Sequence, residues 1–231
     1  MFRMGGIAAL AMFILIPIQI VVFIAWPPPT TVQAYFALFQ HNRLLGLLDL
    51  DFLLIVDNLL SIPLTIAIYV VLWQKNKSFT ALAAVLGFMA IIFYLVSREV
   101  TFSMMTLSDG YAAAASDSMR QVMLAAGQAM LTAYNGTVFN LNYILGAASL
   151  IIASAVMLRY GLFSKPIAYL GLAANIIGLG LYVPAVGIDI SIFSVLFLWV
   201  WDLLIALKLL GWARYAPAPR PEPISSKISG G

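Results

Sequence analysis

Asp202 stands in "WVWDLLIA", two residues from the centre of an apolar run long enough to cross a membrane. A carboxylate at that depth is costly to insert, and such groups commonly carry protons or mark a ligand path. Further charges crowd an earlier stretch, "LLGLLDLDFLLIVDNLLSIPL" (44–64), which holds Asp49, Asp51 and Asp57 with Asn58 beside the last. Arg98 and Glu99 follow another apolar run. These residue types suit proton transfer, ion pairing or capture of a small polar group.

They do not assemble into a catalytic constellation. Cysteine is absent and His41 is the one histidine, so thiolate chemistry, bis-histidine haem and multi-histidine zinc sites are excluded. No phosphate-cradling glycine loop, H-E-x-x-H or G-x-S-x-G occurs. The expectation is no catalytic residue, no metal and no cofactor. Nothing basic and clustered suggests nucleic acid.

The elements that hold these residues follow from composition. Of 231 residues, 63% are hydrophobic and 9% charged. Soluble domains average about 25% charged, so the chain cannot coat a water-soluble globule. Its solvent is the lipid bilayer. A crossing helix needs about 20 apolar residues to span ~30 Å. Six segments qualify: about 5–26, 52–73, 79–98, 138–158, 166–187 and 190–210. The expected fold is an all-α bundle of six transmembrane helices, one domain over 1–211. Pro27-Pro28-Pro29 ends the first span, and Pro17 kinks it. That first run is too long for a signal-peptide core and lacks a clear small-residue cleavage site, so it is expected to be retained. Residues 212–231, rich in Pro, Ser and Gly, are expected to form a disordered cytoplasmic tail.

Lys and Arg set the orientation. Arg3, Lys75, Lys77, Arg159, Lys165, Lys208, Arg214, Arg220 and Lys227 fall on one side; Arg43, Arg98 and Arg120 fall on the other. The positive-inside rule puts both termini in the cytoplasm. On the outer side, residues 30–46 suit an interfacial helix. Between spans three and four, Met119, Val122, Met123, Ala126, Met130 and Tyr134 recur at helical spacing behind Ser116 or Asp117 as N-cap. This predicts an external amphipathic helix, either packed as a lid or covering a lipid or apolar small molecule.

Depth sorts the carboxylates. Counting back about 20 residues from Trp73 leaves Asp49 and Asp51 at headgroup level, with Asp57 about a turn inside. Asp57 and Arg98 flank the 74–78 turn at similar distances, so Arg98 is expected to pair with Asp57 or Asp51, with Glu99 nearby. Asp51, Asn58, Thr65 and Tyr69 lie within about 40° on a helical wheel and should face the bundle. In span four, Asn142, Gly146, Ser149 and Ala153 share a face; in span five, Gly171, Asn175, Gly178 and Tyr182 do. Small residues allow close helix approach and asparagines can bond across it. These faces are expected to meet in a tight hairpin; the alternative is a polar pocket near Asn175 and Tyr182. Asp202 is either a proton-handling or ligand-binding group, or an acid bonded to Tyr182, Asn175 or a backbone carbonyl.

"RLLGLLDLDFLLIVDNLLSIPL", "LSDGYAAAASDSMRQVMLAAGQAML", "YNGTVFNLNYILG", "VMLRYGLFSKPIAYLGLAANIIGLGLY" and "SVLFLWVWDLLIALKLL", in this order over roughly 40–211, resemble a bacterial and archaeal six-span membrane family known as domain of unknown function 4386. The resemblance implies a helical protein of the cytoplasmic (inner) membrane and brings no activity or cofactor. The functional expectation is a non-enzymatic accessory, structural, or lipid- or apolar-ligand-binding membrane protein. The alternative is a small-solute or proton-coupled transporter using Asp202, with Asn58, Asn175 and Tyr182 as further binding candidates.

Overall fold

The computed structural model describes residues 1–215. Among them the ordered elements are helices only: α1 (Phe2–Ala25), α2 (Val32–His41), α3 (Arg43–Asp49), α4 (Phe52–Trp73), α5 (Lys77–Ser97), α6 (Glu99–Ala113), α7 (Asp117–Tyr134), α8 (Thr137–Tyr160), α9 (Lys165–Gly178), a 3-10 turn (Leu179–Tyr182) and α10 (Gly187–Tyr215). Five helical stretches are long and apolar enough to cross a membrane: Phe2–Ala25, Phe52–Trp73, Lys77–Ala113, Asp117–Tyr160 and Gly187–Arg214. Their outer faces carry Ile14, Val21, Ile24, Val85, Ile92, Ile188, Ile192 and Leu207, all exposed. Apolar surface on that scale fits lipid, not water.

α1, α4, α5, α8, α9 and α10 form a closed ring in chain order: each packs on the next, and α10 returns to α1. Small residues close the ring. Gly5 lies against Ala67 of α4, and a methyl added at Gly6 would come 2.7 Å from Leu210 of α10. Phe13 stacks on Trp199, with ring centroids 4.9 Å apart, and the Trp199 indole donates to the Phe13 carbonyl at 2.8 Å. Phe2 meets Trp212 at 5.9 Å, so the start of α1 and the last turns of α10 lie at one end. The 74–76 turn joins that end through Asn76, which donates to Tyr160 at 3.3 Å.

The opposite end carries a second layer made of α2, α3, α6 and α7, with its own core of Val32, Tyr35, Phe36, Phe39, Leu50, Val100 and Met104. Polar ties fix it: Thr101 donates to the Leu50 carbonyl at 2.7 Å, and Ser108 to that of Phe36 at 2.9 Å. Ser116 caps α7, accepting from the Met119 amide. The inward face of α7 differs from the expected stripe. Met123, Met130, Leu131 and Tyr134 pack on the layer's core with Gly127 buried, whereas Met119 and Val122 are exposed. Gly127 turns the contact face, because only a bare backbone fits against Val32 and Phe36.

Three further expectations change. The fifth apolar segment is not one helix to residue 187. Its α-helix stops at Gly178 and tightens into the 3-10 turn, as glycines at 178 and 180 and Pro184 dictate. α10 runs on through Tyr215, so residues 212–215 are helix, while 216–231 lie outside the described residues. Finally, the small face of α8 meets α5, not α9. Ser149 donates to the Ala83 carbonyl at 2.7 Å, and a methyl at Gly87 would come 2.8 Å from Ser149 Oγ. α5 carries its own buried small stripe, Ala83, Gly87 and Ala90, at the spacing that close packing requires. Gly171 of α9 instead lies against Ser154 of α8 and Trp201 of α10.

Candidate functional site

Toward the end that holds the start of α1 the ring packs a solid core, with Leu72, Met157, Ile205 and Leu209 buried. Toward the other end its helices line a partly open cavity of about 550 Å³, walled by residues from all six and by Tyr134 and Asn135. Its surface is largely apolar, with Met12, Leu64, Ile68, Ile91, Leu198 and Trp201 among the walls. Small-molecule sites are typically ~300–1,000 Å³, apolar, with a few placed polar groups.

The charged wall begins where α5 breaks. Arg98 is the single residue between α5 and α6, the C-cap of one and the N-cap of the other. Its guanidinium lies over Tyr94, Tyr134 and Phe139, at 4.7, 4.0 and 4.9 Å from the ring centroids. Its Nη1 stands 3.5 Å from Asp51 Oδ2, and Tyr134 donates its hydroxyl to that same oxygen. Asp51 sits at φ 64°, the left-handed region where Asp is tolerated better than most side chains but still stores strain. The Arg98 and Tyr134 contacts hold it there. Burial raises the Asp51 carboxyl above the ordinary range, against the opposing pull of Arg98 and the Tyr134 hydrogen bond. Asp49, buried two residues earlier, is pushed up to about 6 by burial and by the charge of Asp51. Burial, followed by the two carboxylates, also raises the Tyr35 phenol.

Of the two partners expected for Arg98, Asp51 holds it. Asp57 is not in the pair; its Oδ1 is buried in the cavity wall without a hydrogen-bond partner. α4 begins at Phe52, so Asp51 precedes the helix and can bend toward α5, while Asp57 is committed to the helix face. Glu99 does not join them; it is exposed at the first turn of α6.

Asp202 is fully buried in the cavity wall, and neither of its oxygens has a hydrogen-bond partner. The partners expected for it are engaged elsewhere. Asn175 donates to its own helix, to the Gly171 carbonyl at 2.8 Å. Tyr182 is nearly half exposed and donates to the Asn140 carbonyl at 3.4 Å, clear of the cavity. Asn58 likewise bonds its own helix, at the Leu54 carbonyl. The asparagines therefore do not bridge helices. An amide one turn from a carbonyl of its own helix finds that partner first.

Asn58, Thr65, Asn142, Gly146, Ser149, Asn175 and Gly178 all line the cavity. Ala153 is buried and Gly171 is a packing glycine. The sequence reading missed Tyr143. It donates to the Gly178 carbonyl at 3.0 Å and lies 2.7 Å from Ser191 Oγ, tying α8, α9 and α10 together. Its one proton goes to Gly178, so Ser191 donates to it. Its signal was faint, because a tyrosine in an apolar span reads as ordinary membrane sequence. Tyr134 packs on the layer's core as its stripe predicted, and in addition donates to Asp51, which its spacing did not reveal.

The model of a family described as a domain of unknown function, DUF4386, matches residues 4–215. The chain belongs to that family. No curated protein and no solved structure matches it. Membership in DUF4386 carries no chemistry with it, so the cavity itself has to say what this member does. Among the described residues, no group of three or more His, Asp or Glu gathers to hold a metal. What this DUF4386 chain offers is an apolar chamber with one neutralised charge pair at an end and two carboxylates in its wall.

Proposed function

We propose that this chain is a six-span protein of the bacterial or archaeal cytoplasmic membrane, both termini cytoplasmic, that binds a small, largely apolar molecule inside the bundle. One observation carries the reading: a cavity of about 550 Å³ within the helix ring, with the buried and unpartnered Asp202 in its wall. Packing alone gives no account of a void that size or of a carboxylate without a donor. In this reading the ligand lies within the ring, with the end of the amphipathic helix, at Tyr134 and Asn135, contributing to the wall.

Six crossings are supported by length. α9 and the 3-10 turn, 14 and 4 residues, together rise about 29 Å at 1.5 and 2.0 Å per residue, close to the hydrocarbon thickness. The excess of Lys and Arg at the end holding the start of α1 supports a cytoplasmic position for that end. The layer of α2, α3, α6 and α7 is then the external cover.

The test is a thermal-shift screen of small amphiphiles on the purified protein and on Asn142→Trp, which fills the cavity from a half-buried wall position. A ligand should raise the melting temperature of the parent and leave the filled variant unmoved, since binding to the native state stabilises by mass action. Equal shifts in both proteins, or none in either, would remove the cavity reading.

A second reading, a proton-coupled carrier, draws on Asp57 and Asp202 together, two unpartnered carboxylates in one chamber. Counterflow of a bound ligand in proteoliposomes, lost in Asp202→Asn, would separate carrier from static binder. Unchanged flux would take Asp202 out of the transport path.

A further inference from the structure

Charge around the cavity does not balance. Among the described residues three carboxylates line it, Asp51, Asp57 and Asp202, against one basic side chain, Arg98. Arg98 is committed to Asp51 at 3.5 Å and is covered by the rings of Tyr94, Tyr134 and Phe139. Two carboxylates therefore remain without a cation. Asp202 has no exposed surface, and both of its oxygens, together with Asp57 Oδ1, lack a hydrogen-bond partner. They belong to α4 and α10, the two helices that flank α1, and both line the same cavity.

We propose that the cavity takes an amphipathic organic cation, its ammonium-like head against Asp57, with Asp202 buried behind the same wall, and its apolar body along Leu64, Ile68 and Leu198. The proposal rests on the reading of the cavity as a ligand site. A buried carboxylate is tolerated when it is paired or when it holds a proton, and a cation entering this cavity would supply the pair and release the proton. A hard metal ion gains less here, because it binds best in a polar cage of oxygens and retained waters, and this cavity of about 550 Å³ is largely apolar. An anion would meet two carboxylates and a guanidinium already neutralised.

The experiment compares two ions of one shape and opposite charge, tetraphenylphosphonium and tetraphenylborate, binding to the full chain purified in a neutral detergent. Saturable tetraphenylphosphonium binding at one site per chain is expected, weakened at least about tenfold in Asp202→Asn and in Asp57→Asn. Tetraphenylborate should neither bind saturably nor compete. Asp57 is only half-buried, so Asp57→Asn keeps the test usable if Asp202→Asn does not fold. Equal binding of both ions, or cation binding indifferent to either substitution, overturns the choice of a cation while leaving a ligand site in place. Absence of saturable binding by either ion overturns the cation proposal. If the amphiphile screen is blank as well, the cavity reading falls with it.

Discussion

Arg98 at the end of α5 reaches Asp51 ahead of α4, Nη1 to Oδ2 at 3.5 Å, with both side chains largely buried. The pair closes one end of the cavity and fastens α7 to the ring through Tyr134, which donates to the same Asp51 oxygen. Its two halves are expected to be unequal to mutation singly and close to neutral together.

Arg98→Ala leaves Asp51 buried without a counter-charge, and breaking such a pair costs about 3–5 kcal/mol. Arg98→Met combined with Asp51→Asn removes both charges and keeps a residue suited to the left-handed backbone at 51. Thermal unfolding in detergent should show a large loss for the single variant and recovery of most of it in the double. A double variant as unstable as the single would mean that the charges themselves hold the cap.

The pH dependence has a definite sign. Asp49 is pushed up to about 6 in the folded protein, and Asp51 is shifted in the same direction. The folded state then binds protons that the unfolded chain has released, so stability is full below the ordinary carboxylate pKa and is lost as pH rises toward 6 and beyond. The melting temperature should fall between pH 4.5 and 7. Asp49→Asn should flatten part of that slope, and a slope that stays unchanged would place the proton elsewhere.

Gly87 and Ser149 set the distance between α5 and α8. Gly87→Ala puts a methyl 2.8 Å from Ser149 Oγ and should destabilise by about 1–3 kcal/mol, as overpacking does. Ser149→Ala alone loses the bond to the Ala83 carbonyl, about 1 kcal/mol. Combined, the two should cost less than their sum, because the clash disappears with the hydroxyl. Strict additivity would show that the helices are not held at that contact.

The absence of native cysteine makes single-cysteine labelling clean. Ser78 and Ser118 are both exposed, the first beside the 74–76 turn and the second at the start of α7. Ser118→Cys should react with an impermeant thiol reagent added outside intact cells, and Ser78→Cys only after lysis. Reversed labelling would invert the proposed orientation.

Much of the fold follows from local properties of the chain. Apolar length, the prolines after Ala25 and the polar 74–76 turn mark helices wherever they pack. Depth alone narrowed the partner of Arg98 to two acids, since a helix converts residue count into height. Direction around a helix was harder to read. Of the stripe Asp51, Asn58, Thr65 and Tyr69, the first three line the cavity and Tyr69 does not, and the faces of α8 and α9 were paired with each other when α8 lies closest to α5. A small-residue face accepts any other small face, and the one on α5 was overlooked.

What the sequence by itself determined was the solvent, the all-helical class and the height of each charge along its helix. Those depend on composition and on a rise of about 1.5 Å per residue. Only the tertiary structure decided that Asp57 and Asp202, 145 positions apart, share one chamber, because that needs the ring to close. Closure rests on Gly5 against Ala67, Gly6 against Leu210 and Phe13 on Trp199, contacts between distant helices that no local pattern encodes. The void inside has the same origin: its size is set by how six helices lean on one another, not by any one of them.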